Sequence, residues 1–240
     1  MGLAGAEAAP VVVAGTDGVP QRALLALTRA VQVVLGSASP ARRRVLRDAG
    51  VDPIVRVSDV DEDRVAAALG PDAPPETVVT TLARAKADAV AGRLVLDDPT
   101  VAADAVVIGC DSMLFHDKAL TGKPHTPSAA IAQWHRVRGH SARLLTGHSV
   151  LRVSEGVVTA SAEASTSTTV RFADVDDATV AAYVATGEPL EVAGAFTLDG
   201  FGGWLIDGID GDHSAVIGIG LSVIRTLLAE VGVSVTDLWS

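Results

Sequence analysis

Apolar residues along this chain fall into two rhythms. Short, unbroken or alternating runs of Val, Leu and Ile predict strands, and apolar residues three and four apart predict helices. Residues 31–35, Val-Gln-Val-Val-Leu, form the first such run and predict a buried strand. Gly36-Ser-Ala-Ser-Pro40 follows it. Ser39 suits an N-cap and Pro40 a first helical position, so a helix is expected through Arg42 to Asp48, stopped by Gly50. Residues 54–57 predict a second strand, which enters the acidic stretch 58–63. Residues 71–75 read as a loop. A longer helix is expected from Glu76 to about Leu94, with Val79, Leu82, Ala83, Lys86, Ala89 and Val90 near helical spacing.

Residues 106–110 predict a buried strand that ends at Asp111, with 113–115 as a continuation. Pro127 marks a helix start, and that helix carries Ile131 and Trp134 toward Val137 before Gly139. Residues 142–153 and 157–172 predict two long strands about the turn 154–156. Asp176 or Asp177 caps a helix through Tyr183 to Gly187. Residues 204–209 predict a strand, and Ile219 to about Val231 a last apolar helix. Strands and helices interleave without a linker or a repeat. The expected class is therefore α/β with a mixed twisted sheet and flanking helices, because the central hairpin is antiparallel.

Composition narrows the function classes. At 240 residues the chain is one large domain or two small ones, and 48% hydrophobic residues argue against disorder. Nineteen Lys and Arg face 29 Asp and Glu, a net charge of −10, which speaks against a nucleic-acid polymer as partner. An anionic ligand must then meet a local cluster of cations. No Asn is present, so there is no N-glycosylation sequon. One cysteine, Cys110, excludes an internal disulfide framework and a cysteine zinc cage, and fits a reducing compartment. No apolar run reaches the roughly 20 residues of a membrane span. Residues 1–30 lack the basic start of a signal peptide and are expected to be a mobile extension ahead of one domain over 31–240.

Several segments could carry chemistry. The small-residue turn 36–39 opens a helix N-terminus, a natural phosphate site, and Arg42 to Arg44 can reach the anion. Taken alone it is an ordinary capped turn. No Walker P-loop and no GxGxxG occur. Asp59, Asp61, Glu62 and Asp63 could hold a hard cation, but such runs are usually solvated loops and no EF-hand pattern is present; Asp207, Asp210 and Asp212 fail the same test. Asp111 ends an apolar strand, where ligands gather in open α/β sheets. Gly122-Lys-Pro124 sets Lys123 on a stiff exposed turn suited to a phosphate. The six histidines show no metal spacing and read as surface or partly buried polar residues; no GxSxG elbow is present. Trp134, Trp204 and Trp239 read as packing residues.

Four blocks in order, Leu35-Gly-Ser-Ala-Ser-Pro-Ala-Arg42, Ser58-Asp-Val-Asp-Glu62 with Ala85-Lys-Ala87, Gly109-Cys-Asp-Ser112 with Gly122-Lys-Pro124, and Tyr183-Val-Ala-Thr-Gly-Glu-Pro189 with Ala193-Gly-Ala-Phe196, resemble the Maf family of nucleoside triphosphate pyrophosphatases. The tail Ile209-Asp-Gly-Asp-His-Ser-Ala-Val-Ile-Gly218 looks like its late signature. The resemblance covers about residues 31–231. It implies hydrolysis of a nucleoside triphosphate to a monophosphate and pyrophosphate with a divalent cation, Mg²⁺ or Mn²⁺. It also implies an inosine triphosphatase-like fold with two lobes around a cleft, often dimeric, and a cytoplasmic enzyme that clears unwanted nucleotides.

Carried over position by position, the resemblance makes Arg42, Lys86 and Lys123 the cations that meet the triphosphate, with Lys86 and Lys123 among the catalytic residues. Ser37, Ser39 and Ser112 stand at the substrate, and Glu62 is a metal ligand. Asp111 matches the family's proton acceptor for the attacking water. An ordinary Asp is a weak base with a pKa near about 3.9, and it could ligate the metal instead. Three positions depart from the pattern. Ala41 stands where many members have a second Arg, and Ser112 where a Thr is common. Asp199 stands in a base-recognition segment where the thymidine/uridine-type branch commonly has Gln. A carboxylate only accepts hydrogen bonds, so a strict dTTP and UTP preference is not expected. The rival expectation is a nucleotide-binding regulator of cell division or septum formation without turnover.

Overall fold

The computed structural model describes residues 31–239. The leading 30 residues, expected to be an extension, lie outside the described residues. One seven-stranded mixed sheet runs through the molecule in the order β2-β1-β3-β5-β6-β7, with β4 paired to β3. Its strands are β1 (Gln32–Leu35), β2 (Ile54–Val55), β3 (Asp104–His116), β4 (Ala119–Thr121), β5 (Ser141–Ser154), β6 (Val157–Phe172) and β7 (Ile206–Asp210). β2, β1 and β3 are parallel, and β3, β4, β5, β6 and β7 pair antiparallel. The predicted mixed α/β class is what forms.

The helices are α1 (Pro40–Asp48), α2 (Glu62–Leu69), α3 (Pro75–Asp97), α4 (Pro99–Ala102), α5 (Pro127–Val137), α6 (Asp177–Ala185), α7 (His213–Ile217) and α8 (Leu221–Glu230), with short 3-10 turns at Glu188–Glu191, Ala193–Ala195, Phe201–Leu205 and Val235–Leu238. Side-chain caps open most of the helices: Ser39, Asp61, Thr126, Asp176 and Asp212 each accept a backbone N–H of the first turn. α2 is a helix that the apolar pattern does not predict. The acidic stretch there is a helix start, with Asp61 as cap and Glu62 and Asp63 in the first turn, where negative charge meets the helix dipole favourably.

The long strands serve two lobes. Along β3, Val106, Ile108 and Cys110 alternate into a core shared with α1 and α8, whereas Ala105 and Val107 face the opposite side, under α3 and α4. Farther along the same strand, Leu114 enters a second core built with α5, α6, Trp134 and Phe172. Trp134 is fully buried, packs edge-on to Phe172 and Tyr183, and donates its Nε1–H to the Ala195 carbonyl at 2.7 Å. The expectation that all three tryptophans pack inside is corrected for the other two: Trp204 is 88% exposed on a 3-10 turn, and Trp239 is 61% exposed. Between the two lobes lie Asp111 and Ser112.

Candidate active site

The strand carrying Asp111 runs through it to His116 without a break, taking in the continuation at 113–115. What stops is its pairing on one edge. β5 pairs with β3 from Asp104 to Phe115. On the other edge, β1 pairs only up to Ile108, and β4 takes over at Leu114. Residues 109–113 therefore face a gap in the sheet, and that gap is the floor of the cleft between the lobes. An Asp in the middle of a long strand is tolerated because it lies in this opening.

On one face of the gap, α3 comes down onto β3 and β5. The approach depends on Gly109 and Gly147, which flank Asp111 on the same face. A Cβ on Gly109 would stand 2.1 Å from the Ala83 carbonyl oxygen, and one on Gly147 would stand 2.2 Å from that of Val79. With the helix this close, Lys86 reaches Asp111 Oδ1 at 2.6 Å and Glu62 Oε1 at 2.9 Å. Lys86 and Asp111 are only 8% and 6% exposed, so the pair is charge-assisted in a low-dielectric setting. Asp111 Oδ2 is buried and has no hydrogen-bond partner. A buried carboxylate oxygen with open lone pairs suits a cation or the proton of a water. Among the described residues no group of three His, Cys, Asp or Glu converges as a metal cage. Glu62 and Asp111, joined by Lys86, form a two-carboxylate site, the number Mg²⁺ commonly takes from protein.

Arg42 fills the near rim. Its Nε donates to the Gly218 carbonyl at 2.8 Å, one terminal nitrogen to Ser37 Oγ at 3.0 Å and the Cys110 carbonyl at 2.9 Å, and the other to Ser112 Oγ at 3.1 Å. The Cys110 carbonyl is available because β1 has ended. Ser37 Oγ also accepts the Ser39 N–H, and Ser39 Oγ accepts the Arg42 N–H. Both hydroxyls thus act as acceptors inside the turn, and each keeps its own proton for an incoming anion. Ser112 differs. Thr146 donates its proton to the Ala215 carbonyl at 3.1 Å, so in the 3.1 Å Ser112–Thr146 contact Ser112 must be the donor. The Ser112 hydroxyl is spent on holding Arg42 and Thr146 together.

The far rim carries the remaining expected residues. Lys123 follows β4, half-exposed, with Glu191 at 3.8 Å. No hydrogen bond or ion pair joins it to Asp111 among the described residues. Asp199 crosses the cleft to pair with Arg44 of α1. Its loop is fixed by Glu188, whose carboxylate accepts the Phe201 and Gly202 N–H groups at 3.0 Å each, the Tyr183 hydroxyl at 3.2 Å and the Thr197 hydroxyl. Burial pushes the Glu188 carboxyl up, but these donors outweigh it and hold it below the usual range. The structure thus groups Glu62, Lys86 and Asp111, and separately Ser37, Ser39, Arg42 and Ser112. Lys123 and Asp199 stand on the opposite wall.

Sequence reasoning missed the polar residues behind Arg42. Asp212, which with Asp207 and Asp210 matches no cation-binding pattern, caps α7 by accepting the Ser214 and Ala215 N–H groups and the Ser214 and Ser222 hydroxyls. His148, expected at or near the surface, is fully buried. The available signal was Thr146-Gly-His148, a small and polar interruption of an apolar strand. Burial, and next the Arg42 guanidinium, push the His148 imidazole down from 6.5 to about 4, against a smaller opposing pull from Asp212. The unfolded chain therefore binds a proton at this site between those pH values and the native protein does not. Stability should fall as pH drops from 6.5 toward 4, by about 3 kcal/mol in all from this residue. Urea midpoints across that window check this, and His148→Gln should flatten that part of the profile.

Comparison with known proteins fits this arrangement. The family model for Maf-like proteins matches residues 32–231. The chain belongs to the Maf family. Among Maf relatives, a nucleoside triphosphate pyrophosphatase of Nocardia farcinica is 61% identical over 207 residues, 86% of this chain and 96% of the relative. One from Saccharopolyspora erythraea is 56% identical, covering 87% and 97%, and one from Mycolicibacterium gilvum is 52% identical, covering 86% and 98%. A crystal structure of a nucleoside-triphosphatase / dITP/XTP pyrophosphatase from Mycobacterium abscessus aligns at 12% identity over 83% of this chain and 94% of that one, with a TM-score of 0.29. A score that low carries no argument. No helix among the described residues of this Maf protein is long and apolar enough to cross a membrane.

Proposed function

We infer that this Maf protein hydrolyses a nucleoside triphosphate at the bridge between the α- and β-phosphates, releasing a nucleoside monophosphate and pyrophosphate. The observation that carries this reading is the buried Lys86–Asp111 pair, with an open carboxylate oxygen, facing Arg42 across a gap in the sheet. In the proposed step, water oxygen bonds to a bridge phosphorus, the bridging P–O bond breaks, and the water proton passes to Asp111. Arg42, the Ser37 and Ser39 hydroxyls and the first turn of α1 hold the phosphate chain. Lys86 holds Asp111 in place. Lys123 leaves Glu191 to meet the departing charge. Ser112 acts by fixing Arg42. A divalent cation, Mg²⁺ or Mn²⁺, would be held by Glu62 and Asp111. When bound it would supply charge neutralisation and lower the pKa of its water.

In this reading the enzyme works in the cytoplasm as a homodimer. A single buried thiol, with no partner to oxidise to, suits a reducing compartment. The dimer rests on the family alone, and sedimentation of the purified chain tests it. The base preference is set at the Asp199 wall. With its carboxylate turned to Arg44 and no donor to offer, Asp199 supports a base range other than dTTP and UTP alone. The test is pyrophosphate release across canonical and modified triphosphates, with and without Mg²⁺ or Mn²⁺. Turnover is expected, spread over several bases. Sole use of dTTP and UTP would remove the specificity reading, and tight binding without release on every triphosphate would remove the enzyme.

A further inference from the structure

The 218–220 turn between α7 and α8 is held on both sides. Gly218 presents its carbonyl to Arg42 Nε at 2.8 Å, and two residues on, the Gly220 N–H donates to His148 Nε2 at 2.9 Å. An imidazole nitrogen that accepts carries no proton, so His148 is neutral with its proton on Nδ1. That nitrogen is buried and has no hydrogen-bond partner among the described residues. Asp212 grips the other side through α7, and the Ser214 hydroxyl it orders accepts the Leu221 N–H at 3.0 Å. There is no slack at either glycine. A Cβ on Gly218 would meet Arg42 Cγ at 3.0 Å, and one on Gly220 would meet Asp212 Oδ2 at 3.2 Å and His148 Cε1 at 3.4 Å.

Among the described residues no hydrogen bond or ion pair joins His148 to Glu62 or Asp111, and it has no part in the proposed reaction. A buried imidazole with one committed acceptor is costly to keep for packing alone. We propose that His148 is a positioning residue: as a neutral acceptor inside the sheet it fixes the 218–220 turn, and through the Gly218 carbonyl it aims the Arg42 guanidinium at the triphosphate. This rests on the reading of Arg42 as a phosphate ligand. A guanidinium bonded at every nitrogen gains its selectivity from direction, and Gly218 is the partner that sets the Nε side.

Three substitutions test the idea. His148→Gln places an acceptor oxygen near the Nε2 position, His148→Asn places it near Nδ1, and His148→Leu offers none. The Gln variant should keep the wild-type KM for triphosphate. The Asn and Leu variants should raise KM about tenfold or more, the usual weight of a charge-assisted contact, with a smaller change in kcat. On an Arg42→Ala background, the same His148 changes should have no further effect on KM. If the Leu variant does not fold, the Gln and Asn pair still decides the matter. An unchanged KM in all folded variants overturns the proposal, as does a loss in Gln equal to that in Asn, or full additivity with Arg42→Ala. A wild-type enzyme inactive on every triphosphate would instead overturn the proposed function, a result the wild-type control separates.

Discussion

Asp111→Asn is expected to lower kcat by at least about a thousandfold while leaving the fold intact, a size typical of losing a general base together with a charge at the reacting centre. The substitution is isosteric. Its amide oxygen can still accept from Lys86, which also keeps Glu62 at 2.9 Å, so no buried cation is stranded. What disappears is the charge on the open oxygen and the capacity to take a proton. That oxygen is buried without a partner, and the nearest groups are already committed, so nothing in the cleft replaces it. Glu62→Gln should cost less in kcat, because Glu62 is half-exposed, and should show mainly as a higher metal concentration for half-maximal rate. Thermal denaturation alongside steady-state pyrophosphate release checks both. Retention of a tenth or more of the wild-type kcat by Asp111→Asn would remove Asp111 from the chemistry.

The parts of this site visible in the sequence were those with local form. The turn 36–39 and its helix follow from Ser39 and Pro40, and α3 follows from an apolar stripe that already includes Lys86. The two long strands of the central hairpin are as expected. What local pattern cannot show is which residues meet. Glu62, Lys86 and Asp111 come from α2, α3 and β3 and share no spacing; only likeness to a family grouped them. α2 was missed because three successive carboxylates after Val60 look like a solvated loop, whereas one caps a helix and the next two start it. The break read between 106–110 and its continuation at 113–115 has a similar reason: the polar residues there mark a lost neighbour on one edge, not an interruption of the strand. His148 is polar because it serves a turn far away in sequence, so the polar interruption around it shows that it has a role but not which one. Asp212 serves the helix start and turn that follow it directly, a capping role easily passed over beside the cation question.

Gly147→Ala should be among the most damaging single-methyl changes at the described residues. Gly147 pairs with Asp111 across β3 and β5 and lies under α3. Its added Cβ would sit 2.2 Å from the Val79 carbonyl oxygen, 2.3 Å from the carbonyl carbon and 2.6 Å from the Thr80 nitrogen. These are backbone atoms in the middle of a helix, so no side chain can swing away, and the helix itself must lift. Lifting α3 opens its apolar contacts with β3 and β5 and withdraws Lys86 from Asp111. Overpacking a core already costs about 1–3 kcal/mol where side chains can adjust. Here a loss of about 3 kcal/mol or more is expected, a fall in Tm of roughly 10 °C for a chain this size. Any folded fraction should have a lowered kcat, because the Lys86–Asp111 distance is what the glycine protects. Gly92→Ala provides the control in the same helix. It is exposed, nothing lies within 4 Å of its would-be Cβ, and replacing a helical glycine should raise stability by up to about 1 kcal/mol with activity unchanged. Equal stability of the two variants would show that α3 does not depend on this contact to approach the sheet.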